Sequence, residues 1–364
     1  MAGTALSRGV IELDRSPPFQ RARELMARAE AEIRLIDRAQ PLNAAAEREA
    51  LIAAWGANKP RAPAFTYGAP ASFTELRAAL EETAHSLDQY GKLGALYIER
   101  LLELECEAGV AEDVGREWFV DSAARRYPRA VTPDAAIAHE VAARWLGTTD
   151  RRSTTLHKSD NRSDPESLVC ALEHATEGMP IRVEIRPNQA AVAAVGDGFI
   201  GVRPGLWHTE REVRRIVLHE VEGHARPRVA AQREPLGIFR VGTALSSDDE
   251  EGRALLIERR AGLLEGARRR ELARRHIAAE SVRAGASFVG TVTDLVSRGQ
   301  DIASAVEAAC RAFRGGGLGR ELVYLVALTR VTRAFGTEPE LETWFERGRV
   351  SVAAAKACAA GLES

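Results

Sequence analysis

The chain has 364 residues, 45% hydrophobic and 28% charged, a globular composition long enough for one large domain or two modest ones. Basic and acidic residues nearly cancel, to a formal net charge of -2, so the basic surplus of a nucleic-acid binder is missing. No apolar stretch is long enough to span a bilayer, and Cys106, Cys170, Cys310 and Cys358 lie too far apart for a disulfide framework or a thiolate zinc site.

The N-terminal stretch lacks the apolar run of a signal peptide, so the expected compartment is the cytosol, with no membrane partner. Residues 20–40 carry apolar positions at helical spacing among charges, which predicts a surface helix. A short helix and a Pro- and Gly-rich extended segment follow. Residues 73–108 predict two amphipathic helices with Leu93, Leu96, Leu101 and Leu102 in the core, and Asp134 to Leu146 predicts another. The polar stretch 147–166 has the composition of a mobile linker, dividing an N-terminal helical region, 1–166, from a catalytic region, 167–364, that can still form one integrated domain with it.

Beyond the linker the texture changes. The runs IRVEIR, AVAAV and GFIGVR predict one small antiparallel sheet, and GFIGVR is placed to pair with an extended substrate backbone. Thr209 with Glu212 forms a capping box that starts a helix. From about residue 248 the chain reads as mostly helical, broken by the glycine run RGGGLG, Arg314 to Gly319.

The capped helix runs into VLHEVEGHARP, from Val217 to Pro227, which contains H-E-x-x-x-H. In the common zinc-peptidase signature the histidines stand four apart and share a helix face within about 40°, whereas five apart they diverge by about 140°. Either a π-type widening or a loosening at Gly223 brings His219 and His224 back together. Two imidazoles and a carboxylate suit a catalytic zinc site with one open position. The third ligand is expected from the acidic stretch Asp248 to Glu258: Glu251 on the metal, Glu258 two turns later orienting a histidine. Glu220, next to the first ligand, is the general base. Asp248, Asp249 and Glu250 are expected only to complement the helix dipole, and Glu222 to be solvated.

HEVEGHA, AQREPLGIF, EEGRALLIE, RAFRGG and VYL together resemble the tyrosine carboxypeptidase family, whose animal members include the microtubule-associated enzyme that removes the C-terminal tyrosine of tubulin. Bacterial members are often labelled flavohaemoglobin-expression modulators. The resemblance covers roughly residues 20–335, including PLNAAAERE and PAFTYGAP. It implies zinc on His219, His224 and Glu251, with Glu220 as the catalytic glutamate. The family's pattern usually has Gly and Thr where Glu222 and Gly223 stand, Gln at Glu250 and Leu at Arg253.

A carboxypeptidase must hold a terminal carboxylate. Arg311, Arg314 and Arg320 beside the glycine run are candidates, with Arg314 first by its place in the family's Arg-Gly-Gly motif. Tyr324 can donate to the developing oxyanion. His85, His139, His157, His174, His208 and His276 read as surface or structural.

The expectation is thus a mostly helical, zincin-like α+β zinc metallopeptidase with its sheet beside the active-site helix, acting on peptide or protein C-termini. The competing readings are a zinc amide hydrolase acting on a small molecule and a non-catalytic peptide-binding regulatory protein that retains the fold.

Overall fold

The structure, a computed structural model, describes residues 6–129, 131–149, 155–187 and 189–362. It is mostly helical with small sheets, an α+β chain that separates into two compact units. One comprises Leu6–Thr148 and Ala267–Thr329, the other Thr149–Gly266 and Arg330–Ala360. The second half of the chain therefore contributes to both units. Among the described residues no helix is long and apolar enough to cross a membrane.

The first unit is built from helices. Pro17–Ile33 packs on Gly91–Glu112 and Thr74–Ser86. Its buried Phe19, Ala22, Met26 and Ile33 recur at helical spacing, so the predicted surface helix has a core-facing stripe. Phe19 meets Tyr97 edge-on at 4.8 Å, and Tyr97 donates its hydroxyl to buried Asp14. Leu93, Leu96 and Leu101 are buried as expected, but Leu102 is 44% exposed, because the stripe of Gly91–Glu112 continues through Leu101 and Leu104.

The second unit carries both sheets. Strands β1 (His157–Lys158), β2 (Arg182–Ile185), β3 (Ala193–Val195), β4 (Phe199–Val202) and β5 (Trp207–His208) form an antiparallel pair β1–β5 and a three-stranded sheet of order β2-β4-β3. The antiparallel expectation is corrected here: β4 runs antiparallel to β3 but parallel to β2. Alternating apolar residues report which face a strand buries, not the direction of its neighbour. β4 is also the central strand, hydrogen-bonded on both sides, so GFIGVR offers no free edge to a substrate.

Part of the expected linker, residues 150–154, lies outside the described residues, as do residues 1–5. Its later part is structured rather than free. His157 bonds to Asp164 at 2.8 Å, and Ser159, fully buried, donates its hydroxyl to the Arg203 carbonyl at 2.9 Å.

The sheet's inner face, Ala193, Ile200 and Val202, packs with Leu168 and Leu172 against Val213 and Ile216 of Glu210–Leu218 and Val221 of the following turn. That helix starts where the capping box places it, with both reciprocal Thr209–Glu212 bonds formed. Burying these side chains on the sheet, worth roughly 1.5–3 kcal/mol for each large aliphatic residue, fixes the helix that leads into the histidine motif.

Candidate metal centre and its surroundings

After Leu218 the helix widens into a π-turn spanning His219–Ala225. Of the two local rearrangements open to the sequence, the structure adopts the π-turn. It brings the imidazoles together, with Nε2 of His224 3.4 Å from Nε2 of His219. Gly223 serves a different purpose from loosening the helix. A Cβ there would lie 2.6 Å from that of Ala254, so glycine lets the turn press against the helix Ser246–Arg260.

The close contact also sets the acidic helix beside the histidines. One ligand atom each from His219, His224 and Glu251 lies within 4.8 Å of the other two, and Glu251 Oε2 is 3.5 Å from His219 Nε2. A tetrahedral site with bonds of about 2.1 Å has ligand–ligand edges of about 3.4 Å, so the shortest separations fit such a cation. The donor set is itself that of a metal site: two imidazole nitrogens and a carboxylate oxygen, largely withdrawn from water.

Glu258, fully buried, stands 2.7 Å from His219 Nδ1, with Arg215 at 3.5 Å from the same oxygen. In the neutral ring a carboxylate there keeps the proton on Nδ1 and leaves the Nε2 lone pair facing the cluster. Burial opposes a charge on His219, but its hydrogen bonds to Glu251 and Glu258 prevail and raise its pKa to about 10. A position that holds a proton this strongly among carboxylates is electrostatically suited to a cation.

Glu220 is 8% exposed and makes neither a hydrogen bond nor an ion pair with the protein among the described residues. Its oxygens are therefore uncommitted beside the cluster.

Asp249 and Glu250 do more than complement a helix dipole. Asp249 bonds to Arg330 Nε at 2.7 Å and to the Val352 amide at 2.8 Å, fastening the C-terminal segment to the helix. Burial raises the Asp249 pKa. Glu250 stands 3.6 Å from His224 Nδ1 and 3.6 Å from Arg349. Although burial works against its charge, the neighbours His224, Arg349 and Arg228 lower its pKa. The second histidine thus also faces a carboxylate at its far nitrogen. Glu222 is paired at the surface with Arg226, at 2.7 Å.

Sequence patterns did not single out Arg215, Arg228 or Arg349, since no fixed spacing links them to the acids they meet. Arg253 had a local signal only in its departure from the family's pattern. It donates Nη1 to the carbonyls of Glu222 and Gly223, at 2.7 and 3.3 Å. Pro227 has no N–H, so a carbonyl about one turn before it loses a helical donor, and Arg253 supplies one.

The other sequence candidates belong to the first unit and group around Glu321. Arg314, 5% exposed, bonds to fully buried Glu321 at 2.9 Å, and Arg311 lies 3.7 Å from the same oxygen. Arg320 donates to the Tyr324 hydroxyl at 2.8 Å. The glycine run is a packed turn rather than a flexible loop. Gly315 has φ of 72° and leaves no room for a Cβ, which would approach Phe119 within 2.6 Å. His276, expected to be surface or structural, is fully buried.

The family model described as microtubule-associated tyrosine carboxypeptidase matches residues 55–360. The chain belongs to that family. Membership makes it a peptidase of the tyrosine carboxypeptidase type, and the matched span includes the whole histidine–glutamate cluster. No curated protein and no solved structure matched the chain.

Proposed function

We propose that the protein is a zinc-dependent carboxypeptidase that removes a C-terminal residue, with tyrosine the first candidate, from a peptide or protein. The observation that carries this reading is the convergence of His219, His224 and Glu251 in a chain of this peptidase family. These three residues would hold the ion. When bound, zinc supplies a Lewis acid that polarises the scissile carbonyl and makes water more acidic.

The remaining chemistry belongs to the side chains. Glu258 fixes the His219 tautomer through Nδ1, keeping Nε2 directed at the cluster. Glu220, buried and without a protein partner, takes a proton from the attacking water at a carboxylate oxygen and delivers it to the leaving amine nitrogen. The π-turn presents Glu220 and both histidines from one short segment. A capped helix backed by a small sheet, carrying this turn into contact with the glutamate helix, is the zincin-like arrangement we assign to the catalytic region within 167–364.

The test combines metal analysis with peptide cleavage. The wild type should contain about one zinc per chain and release the last residue from peptides with a free C-terminus, but not from their C-terminal amides. Glu220→Gln should retain the metal and lose release by a factor on the order of 100 or more. Purified protein that takes up no zinc, or a Glu220→Gln variant that cleaves like wild type, would refute the mechanism.

A further inference from the structure

A pocket of about 370 Å³ opens in the same unit as the cluster, lined in part by Met179, Glu222, Arg226, Pro227, Arg253 and Glu346, and it includes none of the three cluster residues. That volume suits a small organic molecule. Its walls combine apolar residues with charges of both signs.

Arg253 is the decisive group. It is 8% exposed, and no carboxylate lies within ion-pair distance of it. Nη1 is occupied by the two carbonyls of the π-turn, whereas buried Nε has no acceptor and Nη2 makes no hydrogen bond. Nε is enclosed by protein, so Nη2 is the nitrogen left to meet a carboxylate oxygen from the pocket. Glu346 also lines the pocket; it is exposed, makes no hydrogen bond or ion pair among the described residues and lies within electrostatic reach of Arg253, whereas Glu222 is neutralised by Arg226. Met179 and Pro227 add apolar surface.

A carboxylate acceptor, a carboxylate donor and an apolar wall in one small pocket describe the complement of an amino-acid zwitterion. We infer that this pocket binds a free amino acid, with its carboxylate on Nη2 of Arg253, its ammonium on Glu346 and an apolar or aromatic side chain along Met179 and Pro227. The choice of ligand rests on the carboxypeptidase reading, since a free amino acid is what that reaction releases. Because Arg253 holds the backbone of Glu222 and Gly223, immediately before His224, product bound here bears on the turn that presents the histidines.

Calorimetry with L-tyrosine and L-phenylalanine tests the site without reference to activity. Saturable binding is expected, equally in protein stripped of metal with a chelator, and tyramine, which lacks the carboxylate, should bind at least tenfold more weakly. Arg253→Met should weaken tyrosine binding at least tenfold. Since this variant also removes donors from two carbonyls, Glu346→Gln at an exposed position provides a second probe, with at least a threefold loss and unchanged thermal stability. Failure of both amino acids to bind, binding abolished by chelation, tyramine binding equal to tyrosine, or indifference to Glu346→Gln in the folded variant would each overturn the proposal. Peptide cleavage is scored separately, so an inactive protein that binds tyrosine refutes the peptidase reading alone.

Discussion

His219 and Glu258, thirty-nine residues apart, meet through a buried 2.7 Å contact between Nδ1 and Oε1. The acidic helix therefore contributes twice to the same centre, once through Glu251 on the cluster side of the imidazole and once through Glu258 behind it.

Glu258→Gln tests the supporting contact. An amide in place of the carboxylate weakens the hold on the His219 tautomer, and zinc affinity should fall roughly 10–100-fold. Competition against a chromogenic chelator measures this. Affinity equal to wild type would show that the contact orients nothing relevant to metal binding.

Gly223→Ala tests the close approach of the two helices. The added methyl would stand 2.6 Å from the Ala254 Cβ, and overpacking of this kind destabilises by about 1–3 kcal/mol. Metal content should fall with stability, because Glu251 is displaced from the histidines. Ala254→Gly in the same chain should recover part of the loss, and thermal unfolding of the four proteins in the cycle gives the coupling. Additive effects would contradict direct contact.

Glu321→Ala should destabilise the protein by about 3–5 kcal/mol, since it leaves buried Arg314 without its carboxylate. Replacing the pair together by Met and Leu should restore much of that stability. Urea unfolding distinguishes this from a surface ion pair, whose loss would change stability by about 1 kcal/mol or less.

His276 gives a pH dependence with a definite sign. Burial lowers its pKa to about 4, and neither ring nitrogen has a hydrogen-bond partner. Between about pH 6.5 and 4 the unfolded chain therefore takes up a proton that the folded chain refuses. This contribution to stability is present above pH 6.5 and is lost on acidification towards pH 4, by about 3 kcal/mol in all. His276→Leu should flatten that part of the profile of unfolding free energy against pH. An unchanged slope would mean that the folded protein takes up the His276 proton as readily as the unfolded chain does.

Local sequence carried much of the second unit. Thr209 and Glu212 mark a helix start three residues apart, a relationship within one turn that needs no tertiary partner. The runs that became β2, β3 and β4 were visible because strand side chains alternate at every second residue. Their order and direction were not visible, because the hydrogen bonds that set them join distant backbone atoms that any residue possesses. Leu102 failed for a similar reason: a leucine next to a buried stripe looks like part of it until packing selects the face.

By itself, the sequence determined the donor chemistry of this protein: two histidines five apart, a glutamate beside the first, and further glutamates thirty or more residues downstream. Covalent spacing limits how histidines on one segment can face each other, and only a few backbone distortions satisfy that limit. The tertiary structure decided which distortion occurs, and it did so by packing. Ala254 against Gly223 draws the second helix close enough for Glu251 and Glu258 to reach opposite sides of one imidazole. It also decided the fate of the arginines, which look alike in sequence: Arg314 is bound to Glu321, whereas Arg253 keeps one edge of its guanidinium unengaged. A charge acquires its role from the partners within a few ångströms of it, and those partners come from parts of the chain that only folding brings together.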